Sequence, residues 1–259
     1  MPTFREDQIV SLVEKSLTVM DRRATLTERI LSHTFRTETA TEFATHGIAR
    51  RVADIAYSIG RVFETLPPDL DDIPTSEQRS EATAHIQAVS FNTYGCMDNL
   101  ARVWVSEYEV RRPNGRELAA SEVGLAPKCA IVRASLPQNL QEQLQDMDRW
   151  FAHLEEVRHT TAHRIPLYIP PFMIDPENAA QYKDLNEQAY NALSENRLDD
   201  YHALIGARDG LRFFRPMIAT SVNQGANALF HPQLLADFAT VELWIGHILD
   251  NLPAADRRE

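Results

Sequence analysis

The stretch Ser76–Val110, SEQRSEATAHIQAVSFNTYGCMDNLARVWVSEYEV, decides the fold. Val89, Cys96, Leu100, Val103 and Trp104 recur at helical spacing and predict one long helix with a single apolar stripe. A second stripe, Asn92, Gly95, Asn99 and Arg102, runs beside it and is small or polar. Such a face lines a site, forms a subunit contact or faces solvent.

Working outward, residues 5–35 are helical by composition. From Thr39 to Leu66, Phe43, Ile48, Val52, Ile55, Ile59, Val62 and Leu66 mark an amphipathic helix, which the loop LPPDLDDIP ends. Downstream, RRPNGRE reads as a turn. A further helix is expected over Pro137–His163, with Leu140, Leu144, Met147, Phe151, Leu154 and Val157 facing the core. Pro166 stops it, since proline has no N–H for the helical ladder, and IPLYIPPF must be extended. Residues 177–203 look helical and strongly polar, and RFFRPMIATSV (212–222) looks extended. A last amphipathic helix is expected over 231–252, with a frayed tail at 253–259. The sum is an all-α helical bundle, one domain over 1–252, with an irregular insertion at about 172–230 before the last helix.

Composition limits the function classes. The 259 residues are 44% hydrophobic, enough for a sizeable core. The net charge of −11 opposes broad, nonspecific nucleic-acid binding, although RRPNGR at 111–116 is locally basic. The acidic residues concentrate in 69–81 and 175–209. No apolar run of membrane-spanning length occurs, and the first residues carry charges where a secretion signal needs an apolar core. A cytoplasmic protein without membrane contact is the expectation. Cys96 and Cys129 form no Cys-x-x-Cys motif, and Cys96 reads as a buried free thiol.

The stretch LEEVRHTTAHRIPLYIPPF (154–172) carries the candidate chemistry. His159 and His163 are four apart and share a helix face, a spacing that chelates zinc. Glu156-x-x-His159 matches half of a di-iron bundle motif, but no second Glu-x-x-His is present. Gly-x-Ser-x-Gly, phosphate-loop and dinucleotide fingerprints are absent. No metal and no cofactor is expected.

Arg158-His159-x-x-x-His163 resembles the Arg-polar-x-x-x-His motif of the HEPN superfamily, helical domains many of which are RNases. FNTYGCMDNLARVW together with HRIPLYIPP is similar to an uncharacterised bacterial branch of HEPN-like proteins, over about residues 76–171. The resemblance implies a metal-independent endoribonuclease of a toxin or defence system, completed by two motifs facing each other across a homodimer. It also implies an RNA substrate and leaves room for an antitoxin or other protein partner. The alternative is a noncatalytic interaction or scaffold protein of the same fold.

The chemistry suits these residue types. RNA is cut without metal when its 2′-OH attacks the adjacent phosphate, and imidazole gives or takes a proton near neutrality. A guanidinium holds the phosphate and the charge that grows on it. Accordingly His163 is the candidate acid/base, Arg158 the phosphate clamp and His159 an orienting partner. Asp98, Asn99 and Tyr168 are candidate substrate-binding residues, Tyr168 by stacking on a base. The structural alternatives are histidines bonding carbonyls at the helix C-terminus and a Tyr168 that packs PLYIPPF against the bundle. His231, beside Pro232 at a helix start, reads as structural, and Trp104, Trp150 and Trp244 read as core.

Overall fold

The computed structural model describes residues 3–219 and 228–254. Four helices make the central bundle: α1 (Glu6–Ser32), α3 (Ala49–Thr65), α4 (Ser76–Tyr108) and α10 (Phe230–Asp250). Each lies against its neighbours, α1 on α3 and α10, and α4 on α3 and α10. Short α2 (Glu38–Glu42) runs into a π-helical stretch, Phe43–Ile48, which leads into α3. The expected single helix over 39–66 therefore contains a π turn. Beyond α4 come α5 (Ala130–Ser135), α6 (Gln138–Asp146) and α7 (Asp148–His163), and α7 packs on α4.

One apolar core runs through the described residues from Phe4 to Leu249. The stripe expected on α4 is buried throughout: Val89, Cys96, Leu100, Val103 and Trp104. Thr75 starts this helix with a capping box. Its hydroxyl accepts from the Gln78 N–H at 3.2 Å, and its own N–H donates to the Gln78 side chain at 2.9 Å. α4 ends where Glu109 turns left-handed, at φ 49°. Glu107, buried near that end, accepts from the backbone N–H groups of Arg36 and Thr37, both at 3.0 Å, and so anchors the link from α1 to α2. His231 closes the C-terminal end of α3: its Nε2–H donates to the Leu66 carbonyl at 2.7 Å.

The helix expected over 137–163 is two helices. Met147, at φ −92° and ψ 3°, ends α6 with a tight bond from its N–H to the Leu144 carbonyl (3.2 Å). Asp148 then opens α7, held by the Arg133 guanidinium at 2.7 Å. The apolar stripe continues across the break.

The insertion is more regular than expected. β1 (Met173–Ile174) pairs antiparallel with β2 (Arg212–Phe213). Between them, α8 (Ala179–Ser194) and α9 (Leu198–Asp209) fold back as a helical hairpin that packs chiefly on itself. A second two-stranded pair, β3 (Met217–Ile218) with β4 (Ala228–Leu229), leads into α10. Of the expected extended run 212–222, residues 220–222 lie outside the described residues, as do 255–259 of the tail. No described helix is long and apolar enough to cross a membrane.

Candidate functional site

α7 buries Phe151, Leu154, Val157 and Thr160. The Trp150 indole N–H ties it to α10 by donating to Asp237 at 2.8 Å. The burial of that face turns Arg158, His159 and His163 outward, and all three are exposed. The rings of His159 and His163 lie 5.2 Å apart, one helical turn from each other. Arg158 and His163 are five residues apart, about 140° around the helix. Arg164 closes α7, with its N–H on the Thr160 carbonyl at 2.9 Å.

Arg158 reaches back to α4. Its guanidinium carbon sits 4.8 Å from the centre of the Tyr94 ring. One turn along α4 is Asp98, where burial pushes the carboxyl above its ordinary value and the charges of Arg158, Arg102, Lys128 and Arg51 pull the other way without offsetting it. Burial likewise raises the Tyr94 hydroxyl, with Asp98 adding to the effect. Lys128 pairs with Glu155 of α7. The loop before α5 presses close to Asp98: a Cβ on Gly124 would lie 2.9 Å from the Cys129 sulfur and 3.3 Å from the Asp98 carboxylate. Cys129 is a buried free thiol, and so is Cys96, which burial pushes up to about 12.

The structure thus sets Arg158 over Tyr94, close enough for its charge to act on Asp98, with His159 and His163 at the exposed end of α7. It adds Tyr94 and Lys128, which sequence reasoning missed. Tyr94 carried a signal, since it lies four residues before Asp98. Lys128 sits in a loop and carried none.

Asn99 and Tyr168 lie elsewhere. Asn99 is buried on the α3 side of α4, where a Cβ at Gly47 would come within 2.5 Å of its amide nitrogen. The whole small, polar stripe of α4 serves that contact. Asn92 accepts from Arg51 at 2.9 Å, Gly95 makes room for the same guanidinium, and Arg102 lies 5.2 Å from the Phe43 ring centre. Tyr168 pairs its backbone with Ala219 (3.0 and 2.9 Å) and lines a cleft of about 410 Å³ with Arg79, Gln87 and Pro166. Gln87 donates to the Leu167 carbonyl at 2.9 Å and fixes this extended segment on α4.

Among the described residues, no group of three or more His, Cys, Asp or Glu side chains is placed to hold a metal ion. His231 is enclosed by the rings of Phe4, Phe63 and Phe230. Its role is the helix-end bond to Leu66. No family model, no curated protein and no solved structure matches the chain.

Proposed function

We propose that the exposed end of α7 is a metal-independent RNA-cleaving site, of the kind used by HEPN-like toxins or defence nucleases. The observation that carries this reading is the exposure of Arg158, His159 and His163 together at the end of α7. Arg158, held over Tyr94, is the phosphate clamp, and His163 moves the proton of the 2′-OH or of the leaving oxygen. Because Arg158 and His163 point about 140° apart on α7, a second copy presenting its own α7 end completes the set. The test is cleavage of end-labelled single-stranded RNA by the purified chain, with and without EDTA. Product with a 2′,3′-cyclic phosphate end in EDTA supports the reading. Cleavage lost in EDTA and restored by a divalent ion overturns it.

One observation favours a noncatalytic interaction protein instead. The α8–α9 hairpin exposes Tyr190, Leu193 and Leu198 at its turn, within the acidic segment 175–209. Exposed apolar side chains gathered at one tip suit docking on a protein partner. An inactive chain that captures such a partner through this tip would support that reading.

A further inference from the structure

α1 carries two apolar stripes, and the bundle uses one. Leu12, Val19, Leu26 and Ile30 are buried in the core. Val10, Val13, Leu17, Met20, Ala24 and Leu31 face outward, with Leu17 72% exposed and Leu31 59%. At 100° per residue the two stripes are centred about 130° apart, so the outer one is not an edge of the core face. Val10, Leu17, Ala24 and Leu31 are spaced by sevens, and Val13 and Met20 fall three after the first two. That is the a/d pattern of a helix packed along its length on another helix, narrower than the stripe of a bundle helix. From Val10 to Leu31 it runs about 32 Å.

We propose that this seam is covered by α1 of a second copy, with the two helices parallel and in register. Charge selects this occupant and this direction. One edge of the seam carries Glu14, Asp21 and Glu28, and the other carries Ile9, Ser16 and Arg23. Antiparallel pairing lays the acidic edge on itself. Parallel pairing lays each acidic edge on the other edge and sets Arg23 of one copy against Glu28 of the second, five residues on, the usual cross-pair of a parallel two-stranded coil. Among the described residues neither side chain has an ion-pair partner, and the Arg23 Nε is buried without a hydrogen bond. Arg22 and Arg29, further round the helix, are already engaged by Glu242 and Asp250 of α10.

This pairing is independent of the nuclease reading. α1 packs on α3 and α10, whereas α7 packs on α4, so joined α1 helices leave the α7 ends free for a separate contact.

Sedimentation velocity up to about 200 µM tests the proposal, since a single helical seam falls short of the ~800 Å² per partner of a tight interface and associates weakly. The wild type is expected to associate with rising concentration. Leu17→Glu with Met20→Glu, both at exposed positions, should halve the mass while the far-ultraviolet circular dichroism is unchanged. Arg23→Glu should weaken association and Arg23→Glu with Glu28→Arg should restore it. Leu17→Cys and, in a separate variant, Leu31→Cys should each crosslink in oxidised glutathione, because only in-register parallel helices bring both positions to their own mates; exposed Tyr57→Cys should not. A wild-type monomer at the highest concentration overturns the proposal and leaves the seam to a different partner. A folded Leu17→Glu, Met20→Glu variant of unchanged mass also overturns it. Loss of RNA cleavage with intact α1 association, or the reverse, separates the two readings.

Discussion

Arg158 on α7 lies with its guanidinium 4.8 Å from the centre of the Tyr94 ring on α4, so the two helices share a cation on an aromatic face. The contact stabilises by about 0.5–1 kcal/mol at an exposed site and fixes a planar donor beside the α7 end. Arg158→Lys keeps the charge and loses the planar fork. Under the nuclease proposal it should slow RNA cleavage by about 10²-fold, with a melting temperature within a few degrees of wild type. Equal cleavage by the two proteins would show that Arg158 only braces the helices.

His163 is exposed at the last residue of α7, off the stripe formed by Phe151, Leu154 and Val157. His163→Ala should change stability by no more than about 0.5 kcal/mol. Loss of a proton-transfer group should slow cleavage by roughly 10²–10⁴-fold. Single-turnover cleavage and a thermal melt on the same preparations check both. Unchanged cleavage rules out the catalytic role of this histidine.

Most of the bundle was legible because burial imposes a period. The α4 stripe from Val89 to Trp104 and the stripe from Leu140 to Val157 each mark a helix face, and each is buried apart from half-buried Met147. What stayed hidden depends on residues far apart in sequence. The π turn at Phe43–Ile48 accompanies the approach of Gly47 to Asn99 on another helix, which no local pattern reports. The same holds for the polar stripe of α4, whose partners Arg51 and Phe43 turn a face open to several readings into an internal contact. The break at Met147 lies in a strong period with neither proline nor glycine to announce it. The exposure of the α7 end followed from its stripe, whereas the cations whose charges act on Asp98 come from four separate segments.

Asp98 feels the charges of Arg158, Arg102, Lys128 and Arg51, and Lys128 is also paired with Glu155. If RNA passes the α7 end, Asp98→Asn should tighten its binding, because those cations lose one internal counter-charge. The slope of log affinity against log salt should steepen by about 0.7 for a single strand, one added phosphate contact. Fluorescence anisotropy over a salt series measures this. A slope that does not move means the strand does not reach the cluster.

Gly47 faces the Asn99 side chain, 2.5 Å from where a Cβ would meet its nitrogen and 3.0 Å from its Cγ. Gly47→Ala should therefore destabilise by about 1–3 kcal/mol, despite alanine's better helix propensity. With Asn99→Ala in the same chain the obstruction is gone, and Gly47→Ala should turn stabilising by up to about 1 kcal/mol. A double-mutant cycle in urea reads the coupling directly. Additive effects would mean the two residues do not touch.

Asp237 and His231, both buried on α10, should give stability opposite dependences on pH. Burial raises the Asp237 carboxyl from 3.8 to about 6, against the pull of the Trp150 and Gln233 hydrogen bonds. The folded chain then holds a proton the unfolded chain has released. The associated stability is full below pH 3.8 and is lost as pH rises through 6. His231 runs the other way, its ring lowered by burial from 6.5 to about 4. Its stability is full above pH 6.5 and is lost as pH falls through 4. In the wild type the two oppose each other between about pH 4 and 6. Asp237→Asn keeps an oxygen for both donors, which bond the same Oδ1 at 2.8 Å, and removes the titration. The variant should gain stability relative to wild type by of order 1–3 kcal/mol at pH 8 and lose most of that gain at pH 4. Its own profile, with the His231 contribution no longer opposed, should fall more steeply in acid. Urea unfolding of both proteins from pH 4 to 8 measures the difference. A wild-type-to-variant gap that stays constant across that range would mean Asp237 keeps an ordinary carboxyl in the folded chain.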